Sequence, residues 1–166
     1  RKLERFSEVY KHIDENFQST FTELTGGGKA WLELEKPETV FDGGVSIKAR
    51  MPRKRLFPVE ALSGGEKSLV SMAFIFAIQR YDPSPFYLLD EPDQNLDGVN
   101  TEHIGRAIAL QSAVAQFLVV SLHHAALREA AHVIGVFMGD DGVSHLHQIH
   151  DVDHFIASLP TEEVAA

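Results

Sequence analysis

No cysteine occurs among the 166 residues, so neither a disulfide framework nor a thiolate metal site can form, and a reducing compartment is permitted without being required. No apolar run approaches the roughly 20 residues that cross a bilayer. The start, Arg1-Lys2-Leu3-Glu4-Arg5-Phe6, has no apolar stretch behind its basic residues and no small-residue cleavage site, and so does not read as a secretory signal. An initiator Met is missing as well; the simplest reading is that the sequence begins inside a longer polypeptide. Positive charge is scarce. The formal net charge of -9 argues against a generally basic, phosphate-gripping surface and leaves DNA contact to a local patch inside a larger assembly. What remains, 44% apolar and 23% charged residues, is the composition of a soluble globular protein, long enough for one hydrophobic core and read as one domain.

Apolar residues Leu3, Phe6, Val9, Ile13, Phe17, Phe21 and Leu24 recur at spacings of three and four, one stripe on a helix that Gly26-Gly27-Gly28 ends. Two strand-like segments follow, 30–34 and 45–49, the second behind an Asp42-Gly43-Gly44 turn able to close an antiparallel pair. From Ser63 to about Tyr81 the pattern is helical and apolar nearly all round, which predicts a buried helix. Pro83 and Pro85 break it. Then come a buried strand at 86–89, a helix near 101–112, an apolar strand at 117–120, a short helix near 125–131 and a strand at 133–138. Strands alternating with helices imply an α/β fold with a parallel sheet. Gly139-Asp140-Asp141-Gly142 should turn the chain into a last strand at 143–149, Asp151 could cap a terminal helix ending before Pro160, and 161–166 read as a frayed tail.

Two runs carry chemistry. Leu62-Ser63-Gly64-Gly65-Glu66-Lys67 opens the apolar helix: Ser63 is a good N-cap, and two glycines let backbone N–H groups approach an anion, although an ordinary capped helix start has the same composition. Phe86-Tyr87-Leu88-Leu89-Asp90-Glu91 is an apolar strand ending in adjacent carboxylates. Ligands of open α/β sheets bind at such strand ends, where one carboxylate can hold Mg²⁺ and the next can orient or deprotonate a water for attack on a phosphate. The alternative is a pair of acids that merely opens a solvated loop.

In order and spacing, these runs, the Phe76-Ala77-Ile78 and Pro85-Phe86-Tyr87 segments, Asp93, Asn95-Leu96-Asp97 and Asn100 resemble the C-terminal head segment of the SMC (structural maintenance of chromosomes) family, ATPases of the ABC class. The similarity reaches Gly27-Gly28-Lys29-Ala30 and the Gly44–Ala49 strand and spans roughly residues 20 to 140. The resemblance implies an α/β ABC-type head lobe with a parallel sheet core, a small N-terminal β lobe and a coiled-coil root helix, divided as 1–25 (root), 26–160 (lobe) and 161–166 (tail). It implies that Ser63, Gly64 and Gly65 form the signature loop that contacts the γ-phosphate of ATP held by an opposing head, with Glu66 and Lys67 in that motif. Asp90 would position Mg²⁺, Glu91 would activate the attacking water, and Asp97 would lie in the D-loop that senses the partner's nucleotide.

Three positions depart from the family pattern. Pro92 stands where SMC proteins more often carry an aliphatic residue, as in an ABC transporter, and Gln94-Asn95 replaces small residues of the D-loop. Where the family often has a switch histidine after Thr or Ser, the register gives Leu122, and His123 serves only if the loop shifts. No Gly-x-x-x-x-Gly-Lys-Ser/Thr phosphate loop occurs anywhere, so the sequence has no cradle for the α- and β-phosphates. In the family that loop belongs to the N-terminal half of the head. The resemblance therefore implies three protein partners: that N-terminal half, a second head, and a kleisin winged-helix domain, for which residues after Val143 are a candidate surface. It implies ATP and Mg²⁺ as cofactors, DNA reached through the full complex, a cytoplasmic, nucleoid-associated location, a role in chromosome condensation and segregation, and no hydrolysis by this segment alone.

Two rival readings are a related repair ATPase working with a nuclease and a catalytically silent scaffold lobe. His145 and His147 share one strand face and His150 falls on the other, so the three read as exposed residues rather than a metal site. Lys48, Arg50, Arg53, Lys54 and Arg55 form a basic cluster that is either a solvated loop or a minor DNA or nucleotide contact.

Overall fold

A computed structural model describes residues 1–54 and 57–158. Arg55 of the basic cluster, Pro160 and the tail 161–166 lie outside the described residues. Helix α1 spans Lys2–Thr25 and ends on Gly26, whose φ of 65° is the left-handed cap conformation that glycine adopts without a Cβ penalty. Of its apolar stripe, Phe17, Phe21 and Leu24 are buried, while Leu3 is 54% exposed. The helix thus packs most deeply through its C-terminal half, while its first turn is exposed.

Strands β1 (Lys29–Leu34) and β2 (Val45–Arg50) pair antiparallel with Leu34 opposite Val45, and β3 (Phe57–Pro58) adds to the far edge of β2. This is the expected β lobe. Two hydrogen bonds tie it to α1: the Leu32 N–H donates to Asp14 Oδ1 (2.7 Å) and the Tyr10 hydroxyl donates to the Leu32 carbonyl (2.7 Å). Burial, then the nearby Asp14 and Glu33 carboxylates, push the Tyr10 hydroxyl above its ordinary pKa.

Helix α2 (Gly64–Tyr81) lies along α1. Asn16 Nδ2 donates to the Ala77 carbonyl (3.2 Å), Phe17 and Phe74 meet edge to face at 5.7 Å, and Arg80 reaches Glu23 (3.0 Å). The sequence predicts burial all round, but Ile75 and Ile78 are each 40% exposed. A helix apolar on every side needs cover on every side, and the described residues supply it on one.

Strands β4 (Phe86–Asp90) and β5 (Gln116–Val120) pair in parallel, joined through helix α3 (Gly98–Gln111). The inner face of this pair packs on α2 through Phe117, which stacks on Tyr87 (5.0 Å) and meets Phe76 edge to face (6.4 Å). The outer face is bare: Phe86 is 55% exposed, Leu88 69% and Val120 57%, where a buried strand is expected.

After the short helix α4 (His124–Leu127), β6 (Val133–Met138) pairs antiparallel with β7 (Ser144–Ile149) and with no strand of the β4–β5 sheet. Among the described residues, parallel pairing is therefore confined to two strands, against the three expected, because strand alternation in sequence gives connectivity but not which edges meet. Helix α5 (Val152–Ser158) starts as expected on Asp151, whose Oδ1 accepts from the His154 N–H (2.9 Å).

Candidate functional site

Ser63 caps α2 in a reciprocal box: its hydroxyl accepts from the Glu66 N–H (3.3 Å), while the Glu66 carboxylate accepts from the Ser63 N–H (3.0 Å). Two orphan amides of the first turn are thereby satisfied. The other Glu66 oxygen takes Lys54 Nζ at 2.7 Å. Lys54, then the Ser63 amide, hold the Glu66 carboxyl below its usual pKa, so the box is ionised at neutral pH. Lys67 follows on the first turn with its side chain exposed, and its N–H donates to the Ser63 carbonyl (2.9 Å).

The glycines face the segment after the acids. A Cβ on Gly65 would stand 2.6 Å from the Asn95 carbonyl oxygen, and one on Gly64 would touch the Asn95 side chain at 3.7 Å. Only the second position has room for a side chain. The structure thus brings the Ser63 loop and the 93–97 loop, 30 residues apart in sequence, into one surface.

Asp90 ends β4 with its side chain exposed, and Val120 of β5 is its Cα partner. Glu91 then turns the chain in a left-handed conformation (φ 45°), unusual outside glycine. That conformation is held by its N–H donating to the Val120 carbonyl (2.9 Å) and by its carbonyl accepting from the Gln94 N–H (3.2 Å). Two residues on, Asp93 is 2% exposed, and its carboxylate accepts from the Ser121 hydroxyl at 2.5 Å. Ser121 Oγ in turn accepts from the His123 N–H (3.0 Å).

Asp97 is the N-cap of α3: Oδ1 accepts from the Asn100 N–H (2.8 Å) and Oδ2 from Asn100 Nδ2 (3.2 Å). This cap starts α3 at Gly98, three residues before the expected start at Thr101. His123 opens α4, half-buried, while Leu122 before it is 81% exposed. Strand β5 ends at Val120, and Ser121, Leu122 and His123 lead from it into α4.

Sequence reasoning missed the Asp93–Ser121 pair and the part played by Lys54 and Asn95. Asp93 stood in a recognised motif without a role, and only burial distinguishes it from a solvated loop acid. Of the remaining candidates, Lys48 is paired with Glu33 (3.2 Å) and Lys54 with Glu66, so two members of the basic cluster are neutralised within the chain. His145 and His147 are exposed, with His145 stacked on Phe137 at 5.6 Å. Among the described residues no group of three His, Cys, Asp or Glu side chains could hold a metal ion. A lone carboxylate at a strand end nevertheless fits Mg²⁺, which keeps several waters and takes its other ligands from substrate phosphates.

A family model described as the RecF/RecN/SMC N-terminal domain matches residues 36–145. The chromosome partition protein Smc of Pyrococcus furiosus is 43% identical over 139 residues, 84% of this chain and 12% of that protein. The Smc of Methanocaldococcus jannaschii is 43% identical over 144 residues, 87% of this chain and again 12% of its own length. The chain therefore spans about an eighth of the length of these relatives. A solved structure from work on ATP-driven dimerization and DNA-stimulated activation of SMC ATPases superposes with a TM-score of 0.82 at 40% identity, covering 88% of each chain. A Pyrococcus furiosus Smc head with an extended coiled coil, bound to the C-terminal domain of ScpA, superposes with a TM-score of 0.83 at 42% identity, covering 87% of this chain and 36% of that one.

Proposed function

Since this chain belongs to the RecF/RecN/SMC family, we propose that it is the C-terminal half of an SMC ATPase head, hydrolysing ATP only when an N-terminal half and a second head complete the site. The observation that carries this reading is the two-stranded parallel sheet, packed on α2 by one face and bare and apolar on the other, with Asp90 at the end of the bare side. Parallel sheets occur almost only with both faces covered. The sequence has no phosphate loop, and a lobe carrying one would cover Phe86, Leu88 and Val120, pair the open edges of β5 and β6, and place a triphosphate beside the two acids.

In the assembled site, Asp90 would hold Mg²⁺, which when bound neutralises phosphate charge. Glu91 orients a water against the γ-phosphorus and takes its proton as the new P–O bond forms and the bond to the β-phosphate oxygen breaks. From the opposing head, Gly64 and Gly65 offer backbone amides at the start of α2. The Ser63 hydroxyl, which only accepts within its cap, keeps a proton to donate to the γ-phosphate. Asp97 holds its helix start at the same surface, and Glu66 and Lys67 keep the loop's shape and charge. His123 lines the β5–α4 loop, with Leu122 in the switch register.

The parts of the fold suggest the remaining roles. The exposed first turn of α1 suits the root of a coiled coil. Ile134, Val136, Met138 and Leu146 form one exposed apolar face of the β6–β7 hairpin and suit a kleisin winged-helix domain, in keeping with the solved Smc head bound to the C-winged helix domain of ScpA. Chromosome segregation and DNA contact belong to the complete complex, whose curated relatives are chromosome partition proteins.

The test is to co-express the missing half and measure ATP turnover of wild type against Glu91→Gln. Activity is expected only in the reconstituted wild type, with ATP-dependent head dimers accumulating in the variant. Turnover by the isolated chain, or an unaffected variant, would reject the reading.

A further inference from the structure

The two loops that end β4 and β5 are fastened to each other twice, and the second fastening has no part in the chemistry just proposed. The first is the backbone bond from the Glu91 N–H to the Val120 carbonyl (2.9 Å). It extends the parallel ladder by one step. The second runs through side chains: the 2%-exposed Asp93 carboxylate accepts from Ser121 Oγ at 2.5 Å, and that oxygen accepts from the His123 N–H at 3.0 Å. A buried carboxylate is costly unless a donor satisfies it, and a hydroxyl bonded to an ionised acceptor makes a short, strong bond. Breaking the pair leaves a charge buried without that donor. The arrangement therefore tolerates little drift of the β5–α4 loop away from Glu91.

Resting on the reading of Glu91 as the water-activating group, we propose that Asp93 is a positioning residue. Through Ser121 it fixes the Ser121-Leu122-His123 loop against the Glu91 turn and so sets the distance between the two sides of the reacting phosphate. Glu91 is in a left-handed conformation that a non-glycine residue does not choose unaided. Its neighbours on both loops must hold it there, and Asp93 is the buried side chain among them that reaches across. The same bond opposes a loop shift that would bring His123 one residue nearer the strand end. Moving His123 back by one residue would pull its N–H off Ser121 Oγ and unwind the start of α4, where the His123 carbonyl accepts from the Ala126 N–H (3.1 Å).

The experiment uses the head reconstituted with its ATP-binding half and compares Asp93→Ala, Asp93→Asn, Ser121→Ala and Glu91→Gln. Ser121→Ala removes one oxygen from a half-buried site and guards against a failure of Asp93→Ala to fold. Misplacing a reacting group by about 1 Å can cost about a hundredfold in rate, so kcat is expected to fall about ten- to a hundredfold in Asp93→Ala and Ser121→Ala, with KM for ATP within about twofold of wild type. Asp93→Asn keeps an oxygen acceptor for the Ser121 hydroxyl and should recover kcat to within about threefold of wild type. Amide exchange should accelerate in the 119–127 segment of Ser121→Ala and not in α2. Wild-type kcat in Ser121→Ala and Asp93→Ala beside an inactive Glu91→Gln overturns the role of Asp93 alone. So does a rise in KM equal to the loss in kcat, or exchange that accelerates throughout the head. An active Glu91→Gln overturns the reading of the site itself and this inference with it.

Discussion

Replacing Gly65 by alanine tests how the two loops share one surface. The added Cβ would lie 2.6 Å from the Asn95 carbonyl oxygen, against 3.4 Å where ordinary contact begins, so something must retreat by about 0.8 Å. The far end is backbone, flanked by the buried Leu96 and anchored two residues earlier by the buried Asp93. The near end is the first turn of a helix whose Leu69 and Val70 are fully buried. Neither side gives easily, and overpacking of this kind costs about 1–3 kcal/mol. Alanine returns up to about 1 kcal/mol of helix propensity, so a mid-range penalty leaves a net loss of about 1 kcal/mol. At about 2–4 °C per kcal/mol for a chain of this size, the melting temperature should fall by about 2–4 °C. Gly64→Ala is the matched control: its Cβ meets Asn95 at 3.7 Å and its backbone is outside the left-handed region, so it should melt at or above wild type. In the reconstituted head, the same 0.8 Å shift of the signature loop should lower ATP turnover about tenfold or more. A Gly65→Ala chain as stable as wild type, or a Gly64→Ala chain equally damaged, would show that the close approach does not shape this surface.

Two further outcomes follow from the packing and charge around the site. Phe17→Ala, in a fully buried position against Phe21 and Phe74, should lose about 3–5 kcal/mol in urea unfolding, whereas Arg80→Ala should lose less than about 1 kcal/mol because its partner Glu23 is 61% exposed. The Glu66 carboxyl is held below its ordinary value of 4.5 by Lys54 and the Ser63 amide, so its contribution is complete above that value and is lost as pH falls through the lower folded-state pKa. Urea unfolding at descending pH should show Glu66→Gln less stable than wild type at neutral pH, with the gap closing as pH falls through the lowered folded-state pKa of Glu66.

The local signals in the sequence were strong where one stretch of chain decides its own structure. The spacing from Phe17 to Leu24, the glycine after Thr25, the Ser63 box and the Asp151 cap each act within a turn or two, and each is present. Helix α3 starts three residues before the expected Thr101 because Asp97, which the sequence offers as an interface residue, also caps the helix through Asn100. The Asp93–Ser121 bond was not legible at all. It joins residues 28 apart through a side chain whose burial depends on how two strand ends converge.

The other misreadings have one physical origin. Uniform apolarity in α2 and in β4 reads as burial within this chain, and the structure leaves Ile75, Ile78, Phe86 and Leu88 exposed. Apolar periodicity records that a face needs cover, not which segment provides it. Strand pairing is non-local in the same way, and β6 turns to β7 because no other strand among the described residues reaches its edge. Had these faces belonged to a self-sufficient fold, the apolar positions of β4 and β5 would alternate with polar ones on the solvent side, as in a sheet with one wet face. They do not: Phe86, Leu88, Leu118 and Val120 line the open side. The sequence is written for a sheet covered on both faces, and the carboxylates at its end lie where that cover would bring a nucleotide.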